Sequence, residues 1–236
     1  WYRPAGEGPW PVVVDVHGGP ESQRRVDFNP VIQFLLARGY AVLSTNVRGS
    51  TGYGKTYSHL DDVELRMDAV ADLDAANAWL RTQPDVVADR LAVFGQSYGG
   101  FMVLASLTTY PDHWAAGVDV VGIANFITFF ERTGPWRRHL RAAEYGDPER
   151  DRDLLISVSP IHKAESITAP LLVLHGRNDP RVPVEETEQI VSSLQALGRD
   201  VTLRIYEDEG HGLIKIPNKI DGYGLMADFL DRVLKP

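Results

Sequence analysis

The chain has 236 residues, 44% of them hydrophobic, a length that suits one large domain with a substantial core better than two independent domains. It carries 24 Lys and Arg residues against 32 Asp and Glu residues, and the resulting net charge of −8 argues against binding to nucleic acid or to an anionic membrane surface. Cysteine is absent, which excludes disulfides, zinc–thiolate sites and cysteine nucleophiles.

The apolar runs and the start of the chain bear on its location. No run approaches the roughly 18 apolar residues of a membrane span, and the chain does not open with the basic and then apolar pattern of a signal peptide. We therefore expect a cytoplasmic protein. The first residue is Trp1, and the turn-rich stretch from Trp1 to Trp10 reads as a linker, so we expect a piece of a longer or processed protein.

Apolar runs of strand length alternate with segments of helical period. The runs cover residues 11–17, 40–47, 91–96, 115–121, 170–175 and 201–206. Helical stripes cover residues 69–80, 190–197 (with Gly198 as a stop) and 225–234. This alternation predicts an α/β fold with a mostly parallel, doubly wound sheet flanked by helices, in one domain over residues 1–236.

Residues 131–165 differ in composition from the rest of the chain. Of these 35 residues 14 are charged, against 24% for the whole sequence. A solvated helical connection would account for this composition. A helical excursion over the substrate site would account for it as well, because long connections in compact domains are often functional. Both interpretations stand at this stage.

A nucleophile motif follows the third apolar run. Residues 95–100 read Gly-Gln-Ser-Tyr-Gly-Gly, between the strand-like 91–94 and the helix-like 101–107. This is G-x-S-x-G in the strand–turn–helix context that places a serine at a strained, exposed elbow. The glycines leave room for the turn, and the helix that follows favours a developing negative charge beside Ser97. Ser97 is therefore the predicted nucleophile.

The acid and the base of a triad follow in the order that α/β-hydrolases use, Ser then Asp or Glu then His. Asp179 comes directly after the run 170–175, and His211 follows the run 201–206. All three candidates then lie at the carboxyl ends of strands. His211 would accept the proton of Ser97, and Asp179 would orient the imidazole. Asp208 remains an alternative acid.

The oxyanion hole needs two backbone donors. The N–H of Tyr98, directly after the nucleophile, is the first candidate. The second should come from the loop after an earlier strand, where Gly18 and Gly19 follow the run that ends at His17. Glycines at this place allow the backbone to approach the nucleophile closely.

Five segments together resemble the peptidase domain of the prolyl oligopeptidase family, closest to its acylaminoacyl-peptidase and dipeptidyl-peptidase-like branches. These are HGGP at 17–20, NVRGSTGYG at 46–54, GQSYGG at 95–100, HGRNDPRVP at 175–183 and GHG at 210–212. The resemblance spans the whole chain. It implies the roles already given to Ser97, Asp179 and His211. It also implies that a β-propeller found in relatives is missing from this chain.

The resemblance further concerns the second oxyanion donor and the substrate pocket. Some relatives use a tyrosine side chain as that donor. Here His17 stands at the corresponding position, so a backbone N–H from Gly18 or Gly19 is expected. The residues implied to line the pocket beside the nucleophile are Tyr98, Ile123, Phe126, Phe129 and Val182.

One match points to a different class of protein. Residues 49–56 read GSTGYGKT and satisfy the phosphate-loop pattern G-x-x-x-x-G-K-[ST], with Lys55 and Thr56 in the expected places. The residues after Thr56 begin a helix poorly, and no later strand offers a convincing Asp for magnesium. A nucleotide-binding protein is therefore kept as a remote alternative.

The sequence predicts a serine hydrolase that cleaves peptide or acyl-amino-acid bonds through an acyl-enzyme intermediate. A carboxylesterase that acts on small esters is the alternative, because the same fold and triad serve both reactions. Neither reaction requires a metal or an organic cofactor. The expected partners are peptides or small acyl substrates, with no nucleic acid and no membrane.

Overall fold

Six strands form one sheet in the computed structural model of the protein, which describes residues 1–235. The strands are β1 (Trp10–Val16), β2 (Ala41–Thr45), β3 (Val86–Gln96), β4 (Ala116–Val120), β5 (Leu171–Gly176) and β6 (Val201–Tyr206). Their order across the sheet is β2-β1-β3-β4-β5-β6, and every neighbouring pair is parallel. The chain therefore reverses its direction of winding between β1 and β3, and open sheets bind ligands at such a switch point.

Helices occupy the connections between the strands. The α-helices are α1 (Pro30–Ala37), α2 (Lys55–Ser58), α3 (Arg66–Arg81), α4 (Tyr98–Thr109), α5 (Phe126–Arg132), α6 (Pro135–Tyr145), α7 (Arg152–Val158), α8 (Val184–Ala196) and α9 (Ile216–Leu234). Two 3₁₀ segments, Val63–Leu65 and Pro160–Ser166, complete the pattern. The charged segment 131–165 thus holds the end of α5 and all of α6 and α7.

The sheet lies between two layers of helices. On one face α1 and α9 pack over an apolar cluster that includes Val13, Leu172 and Phe229. The opposite face carries α3, α4 and α8 over the larger cluster, which includes Val14 and Phe101. Strands buried on both faces need mostly apolar residues, and β1 carries four fully buried valines, interrupted by the buried Asp15.

Local sequence signals account for several helix boundaries. The side chain of Asn29 accepts hydrogen bonds from the amides of Val31 and Ile32, which caps α1, and Pro30 occupies its first turn. Gly198 has a φ of +68°, the left-handed conformation that ends a helix, just beyond α8. The predicted helix there was one residue too long, because Leu197 is a half-exposed cap residue.

The fold class predicted from the sequence is confirmed. Each of the six apolar runs contains a strand, and the sheet is entirely parallel. The largest difference is β3, which begins five residues before the predicted run, because Val86 pairs with Trp10 across a register shift in the ladder with β1. None of the helices within residues 1–235 combines the length and the hydropathy that a membrane crossing requires.

Candidate active site

Ser97 lies at the turn between β3 and α4 in a strained backbone conformation. Its φ is 62° and its ψ is −118°, values that a residue with a side chain rarely adopts. A Cβ at Gly95 would overlap the backbone of Gly99, and a Cβ at Gly99 would overlap the carbonyl oxygen of Val16. The glycines of the motif are therefore required, because β3, the turn and β1 approach each other too closely for side chains.

The structure brings the three predicted triad residues into one hydrogen-bonded chain. The Oγ of Ser97 is 2.9 Å from Nε2 of His211, and Nδ1 of His211 is 2.6 Å from Oδ2 of Asp179. These residues are 82 and 32 positions apart in sequence, yet β3, β5 and β6 end at the same edge of the sheet. The arrangement can accept a proton from the Ser97 hydroxyl and stabilise the imidazolium that forms.

The carboxylate of Asp179 is held by the loop that carries it. Its Oδ1 accepts hydrogen bonds from the amides of Arg181 and Val182, at 2.8 and 3.0 Å, which leaves Oδ2 for His211. His175, at the end of β5, is fully buried and contacts the Val182 carbonyl oxygen and the Thr187 hydroxyl. Burial lowers the pKa of His175. It is therefore a packed histidine, held between α8 and the loop after β5.

Asp208 and Glu209 shape the turn before His211. The Oε1 of Glu209 accepts from the amides of Ile214 and Lys215, at 3.1 and 2.8 Å. Asp208 is bonded instead to the side chains of Lys215 and Asn218. Because its carboxylate is turned towards these two partners, the alternative of Asp208 as the acid has no support in the structure.

Gly18, in the loop after β1, lies against the turn that carries Ser97. A Cβ built on Gly18 would lie 2.8 Å from the carbonyl oxygen of Gln96 and 3.3 Å from the Cβ of Ser97. Gly19 has a φ of 135°, and its carbonyl oxygen accepts a hydrogen bond from Arg141 of α6 at 3.1 Å. Of the two glycines that the sequence left open, Gly18 is the one in close contact with the serine turn.

His17 makes hydrogen-bond contacts within this loop and with the loop after β2. Its Nδ1 is 2.8 Å from the Gly18 carbonyl oxygen, and its Nε2 is 2.8 Å from the Ser50 hydroxyl. The Ser50 hydroxyl is also 2.6 Å from the carbonyl oxygen of Val47. Burial lowers the pKa of His17, which favours the neutral ring. The histidine thereby links the loop after β1 to the loop after β2.

The residues implied to line the pocket are packed side chains. Ile123, Phe126, Phe129 and Val182 are all buried in one apolar cluster. The ring of Phe126 is 5.0 Å and that of Phe129 is 6.0 Å from the ring of Tyr145. Their role as a pocket wall remains a prediction. The sequence did not single out Tyr145, the aromatic residue at their centre.

Tyr98 also belongs to that cluster, but its hydroxyl takes part in a polar network. The Tyr98 side chain is 1% exposed, and its hydroxyl contacts Arg66 and Asp61. Arg66 also pairs with Glu144, and all of these side chains are buried. Sequence analysis missed this cluster, because its members come from separate segments and match no short motif.

A group of acidic side chains in the same place has ligand atoms close enough for a metal ion, Asp61, Asp62 and Glu144. The guanidinium of Arg66 lies between two of these carboxylates and supplies positive charge there. Burial raises the pKa of Glu144 to about 8 and also raises that of Asp61, because one guanidinium does not offset two buried acids. Arg66 therefore supplies the positive charge that a metal ion would otherwise bring to this cluster.

A second buried acid supports the predicted pocket wall. Glu186 of α8 accepts hydrogen bonds from the amides of Ala124 and Asn125, at 3.1 and 2.7 Å, and from the hydroxyl of Thr128. Burial raises the pKa of Glu186 to about 7, although these donors oppose the shift. The side chain connects α8 to the start of α5. Its place in an amphipathic helix gave no signal in the sequence.

The phosphate-loop match does not form a phosphate-binding loop. Three amides at its start donate to backbone carbonyl groups, Gly49 to Tyr57 at 3.1 Å, Ser50 to Val47 at 3.0 Å and Thr51 to Ser22 at 2.8 Å. These amides are thus not free to hold phosphate oxygens. The helix that follows, α2, has only four residues, so it lacks the dipole that such a site uses. The nucleotide-binding alternative is wrong for this geometry.

A parallel sheet with a serine on a sharp strand–helix turn, and with an acid and a histidine after the last two strands, defines an α/β-hydrolase. The sequence profile of the prolyl oligopeptidase family matches residues 26–236. The dipeptidyl aminopeptidase BIII of Pseudoxanthomonas mexicana is 40% identical over 233 residues, which cover 97% of this chain and 34% of that protein. The chain belongs to the prolyl oligopeptidase family, a family of serine peptidases, as the resemblance of its motifs predicted.

Solved structures agree with this assignment. An acylaminoacyl peptidase of Pyrococcus horikoshii superposes with a TM-score of 0.91 at 28% identity, covering 100% of this chain and 39% of that one. A puromycin-hydrolysing peptidase of Mycobacterium tuberculosis superposes with a TM-score of 0.92 at 29% identity, covering 98% of this chain and 35% of that one. The chain spans about a third of the length of the curated relatives that it matches.

Proposed function

We propose that this chain cleaves amide bonds of short peptides or acyl-amino acids, with Ser97 as nucleophile, His211 as general base and Asp179 as the acid that orients it. The observation that carries the proposal is the hydrogen-bonded chain of these three side chains on the strained turn after β3. The names of the relatives support amide rather than ester substrates, since they are dipeptidyl and acylamino-acid peptidases.

The reaction follows from the positions of the atoms. Oγ of Ser97 attacks the substrate carbonyl carbon while its proton passes to Nε2 of His211. The negative charge that develops on the carbonyl oxygen is stabilised by the amides of Tyr98 and Gly18, with the positive end of α4 beside it. The tetrahedral intermediate collapses, the amine leaves with the proton from His211, and the acyl group stays on Ser97. Water then attacks the acyl carbon while one of its protons passes to His211, and His211 gives that proton to the departing Oγ of Ser97, which releases the carboxylic acid product.

Covalent labelling tests the nucleophile. A fluorophosphonate probe should label the wild-type chain and should not label the Ser97→Ala variant, while Ser106→Ala, which alters a buried serine within α4, should keep its label. Equal labelling of wild type and Ser97→Ala would overturn the proposal. Labelling shows an activated serine, so the substrate class needs a second measurement.

Two chromogenic substrates distinguish a peptidase from a carboxylesterase. We expect a dipeptide p-nitroanilide or an acetylated amino-acid p-nitroanilide to be hydrolysed, with Ser97→Ala removing the activity. Esters such as p-nitrophenyl acetate should also react, because their leaving group needs little protonation. Hydrolysis of the ester without any hydrolysis of either anilide would favour the carboxylesterase.

A further inference from the structure

The side chain of Tyr98 extends from the serine turn into a buried polar cluster that adjoins the predicted pocket wall. Its hydroxyl lies 2.9 Å from Nη1 of Arg66 and 3.1 Å from Oδ2 of Asp61. Tyr98 therefore takes part in two separate sets of contacts. Its backbone amide is the proposed oxyanion donor, and its phenol is held by the charged groups of Arg66 and Asp61.

Arg66 is held from several directions at once. Its Nη1 is 2.6 Å from Oδ2 of Asp61, and its Nη2 is 2.9 Å from Oε1 and 2.8 Å from the carbonyl oxygen of Glu144. The guanidinium carbon lies 5.0 Å from the ring centre of Tyr98 and 4.8 Å from that of Tyr145. A guanidinium with so many fixed partners has one orientation, and it transmits that orientation to the phenol of Tyr98.

The C-terminal end of α6, which carries Glu144, also contacts the loop after β1 that holds Gly18 and Gly19. Arg141 donates to the carbonyl oxygen of Gly19 at 3.1 Å and to Oε2 of Glu21 at 3.0 Å, and it lies over the ring of Tyr145 at 5.6 Å. Arg141 and Glu144 are three residues apart and thus neighbours on the helix surface. One helical turn therefore contacts the loop after β1 and, through Arg66, the residue after the nucleophile.

We propose that Arg66 and the last turn of α6 are positioning elements that hold the amides of Tyr98 and Gly18 at the separation which an oxyanion requires. This inference rests on the proposed function and adds a role for the charged segment 131–165. Its physical basis is that the Arg66 guanidinium is fixed by several directional hydrogen bonds, which constrain the groups that it contacts. Oxyanion donors need a fixed geometry, since a displacement of about 1 Å can reduce the rate about a hundredfold.

The Tyr98→Phe variant tests the first contact. It keeps the ring and the backbone amide and removes only the hydroxyl that Arg66 and Asp61 hold. We expect kcat for a dipeptide p-nitroanilide to fall about tenfold to a hundredfold while KM stays within about twofold, because the amide acts on the transition state. Affinity for a dipeptide aldehyde, whose hemiacetal oxygen occupies the oxyanion position, should fall by a similar factor.

Tyr40→Phe is the matched control. This variant also removes a hydroxyl hydrogen bond, from Tyr40 to Asp231 at 2.6 Å, but Tyr40 packs on the opposite face of the sheet, with α9. Its kcat and aldehyde affinity should stay within about twofold of wild type. A loss equal to that of Tyr98→Phe would overturn the proposal, since any lost hydroxyl would then have the same effect.

Arg141 provides a second, independent variant. Its side chain is partly accessible, so Arg141→Gln should fold, and we expect a fall in kcat of about three- to tenfold with a matching loss of aldehyde affinity. Arg141→Lys should restore part of the activity, because an ammonium still reaches the Gly19 carbonyl oxygen. If Tyr98→Phe and Arg141→Gln both keep wild-type kcat and aldehyde affinity, the proposal is overturned. Activity that survives Ser97→Ala would overturn the proposed function instead.

Discussion

Two groups of polar side chains meet at the dipeptide Ser97–Tyr98, and they differ in almost every physical respect. On the side of Ser97 lie His211 and Asp179, and the side chain of His211 is 14% exposed. On the side of Tyr98 lies Arg66, whose side chain is 1% exposed, with its two carboxylate partners. The first group can exchange a proton with substrate and water, whereas the second is enclosed by aromatic rings.

The difference shows how one short turn can present a reactive side chain at Ser97 and fix its backbone through the buried side chain of Tyr98. The proposed general base, His211, has to change its protonation state in each cycle, and its partly exposed side chain at the edge of the sheet suits that role. A buried guanidinium keeps its charge and its contacts, and it therefore holds the backbone beside it in place. The predictions below separate these two contributions.

The largest effect should come from the triad. In Asp179→Asn the amide replaces the carboxylate that accepts from Nδ1 of His211, so the imidazole no longer holds the tautomer that accepts the Ser97 proton. We expect kcat for a peptide p-nitroanilide to fall by about 10⁴-fold at neutral pH. Initial rates over a range of substrate concentrations measure it.

Asp208→Asn is the control for that variant. Asp208 bonds Lys215 and Asn218 at the surface, so its change should leave kcat within about twofold. If Asp208→Asn lowered kcat as far as Asp179→Asn, the assignment of Asp179 as the orienting acid would be wrong.

A smaller effect should come from the donor loop on the other side of Ser97. In Gly18→Ala the added Cβ would lie 2.8 Å from the Gln96 carbonyl oxygen, so the loop must move away from the turn. Because the Gly18 amide moves with it, we expect kcat to fall about tenfold to a hundredfold while fluorophosphonate labelling persists at a reduced rate.

Gly224→Ala is the matched change elsewhere in the chain. A Cβ at this position in α9 meets nothing within 4 Å, and alanine favours the helix, so both kcat and thermal stability should be at least retained. Wild-type kcat in Gly18→Ala would contradict the proposed second donor.

The smallest effect is on the free energy of unfolding. It concerns Asp119, a buried acid that, in the part of the chain that the structure describes, lacks the guanidinium partner that Asp61 and Glu144 have. Asp119 of β4 is fully buried, and within residues 1–235 its carboxylate makes no hydrogen bond of ordinary geometry, the amide of Gly122 giving only a weak contact. Burial raises the pKa of Asp119 to about 7, well above the usual value for an aspartate. The folded protein therefore binds this proton more tightly than the unfolded chain, and the free energy of unfolding decreases as the pH rises from about 4 to about 7.

Asp119→Asn removes this dependence, because asparagine stays neutral. We expect the variant to be more stable than wild type by about 1–3 kcal/mol above pH 7, with the gain shrinking towards pH 4. Urea denaturation at several pH values measures the difference. A variant that is less stable than wild type at pH 8 would show that the ionised carboxylate is compensated in the folded state.

The sequence predicted those features that leave a local trace. Buried strands need apolar runs, and the sharp turn at Ser97 needs glycines on both sides, so both features appear as contiguous patterns. The same reasoning applies to Asp179 and His211, since each follows a recognisable strand. The match to a phosphate loop shows the limit of such patterns. Its glycines are real turn residues, but their amides are used by neighbouring carbonyl groups.

The amino-acid sequence alone thus determined the parallel α/β sheet, the serine turn and the candidates for the triad, because strand burial and turn sterics act over a few residues. Only the tertiary structure decided which of Gly18 and Gly19 approaches Ser97, and that Arg66, Asp61 and Glu144 meet behind Tyr98. Those contacts join residues up to 78 positions apart. The sequence does not show which acidic residue a given arginine will pair with. Arg66 and Glu144 pair only because α6 packs beside the start of α3 in the folded chain.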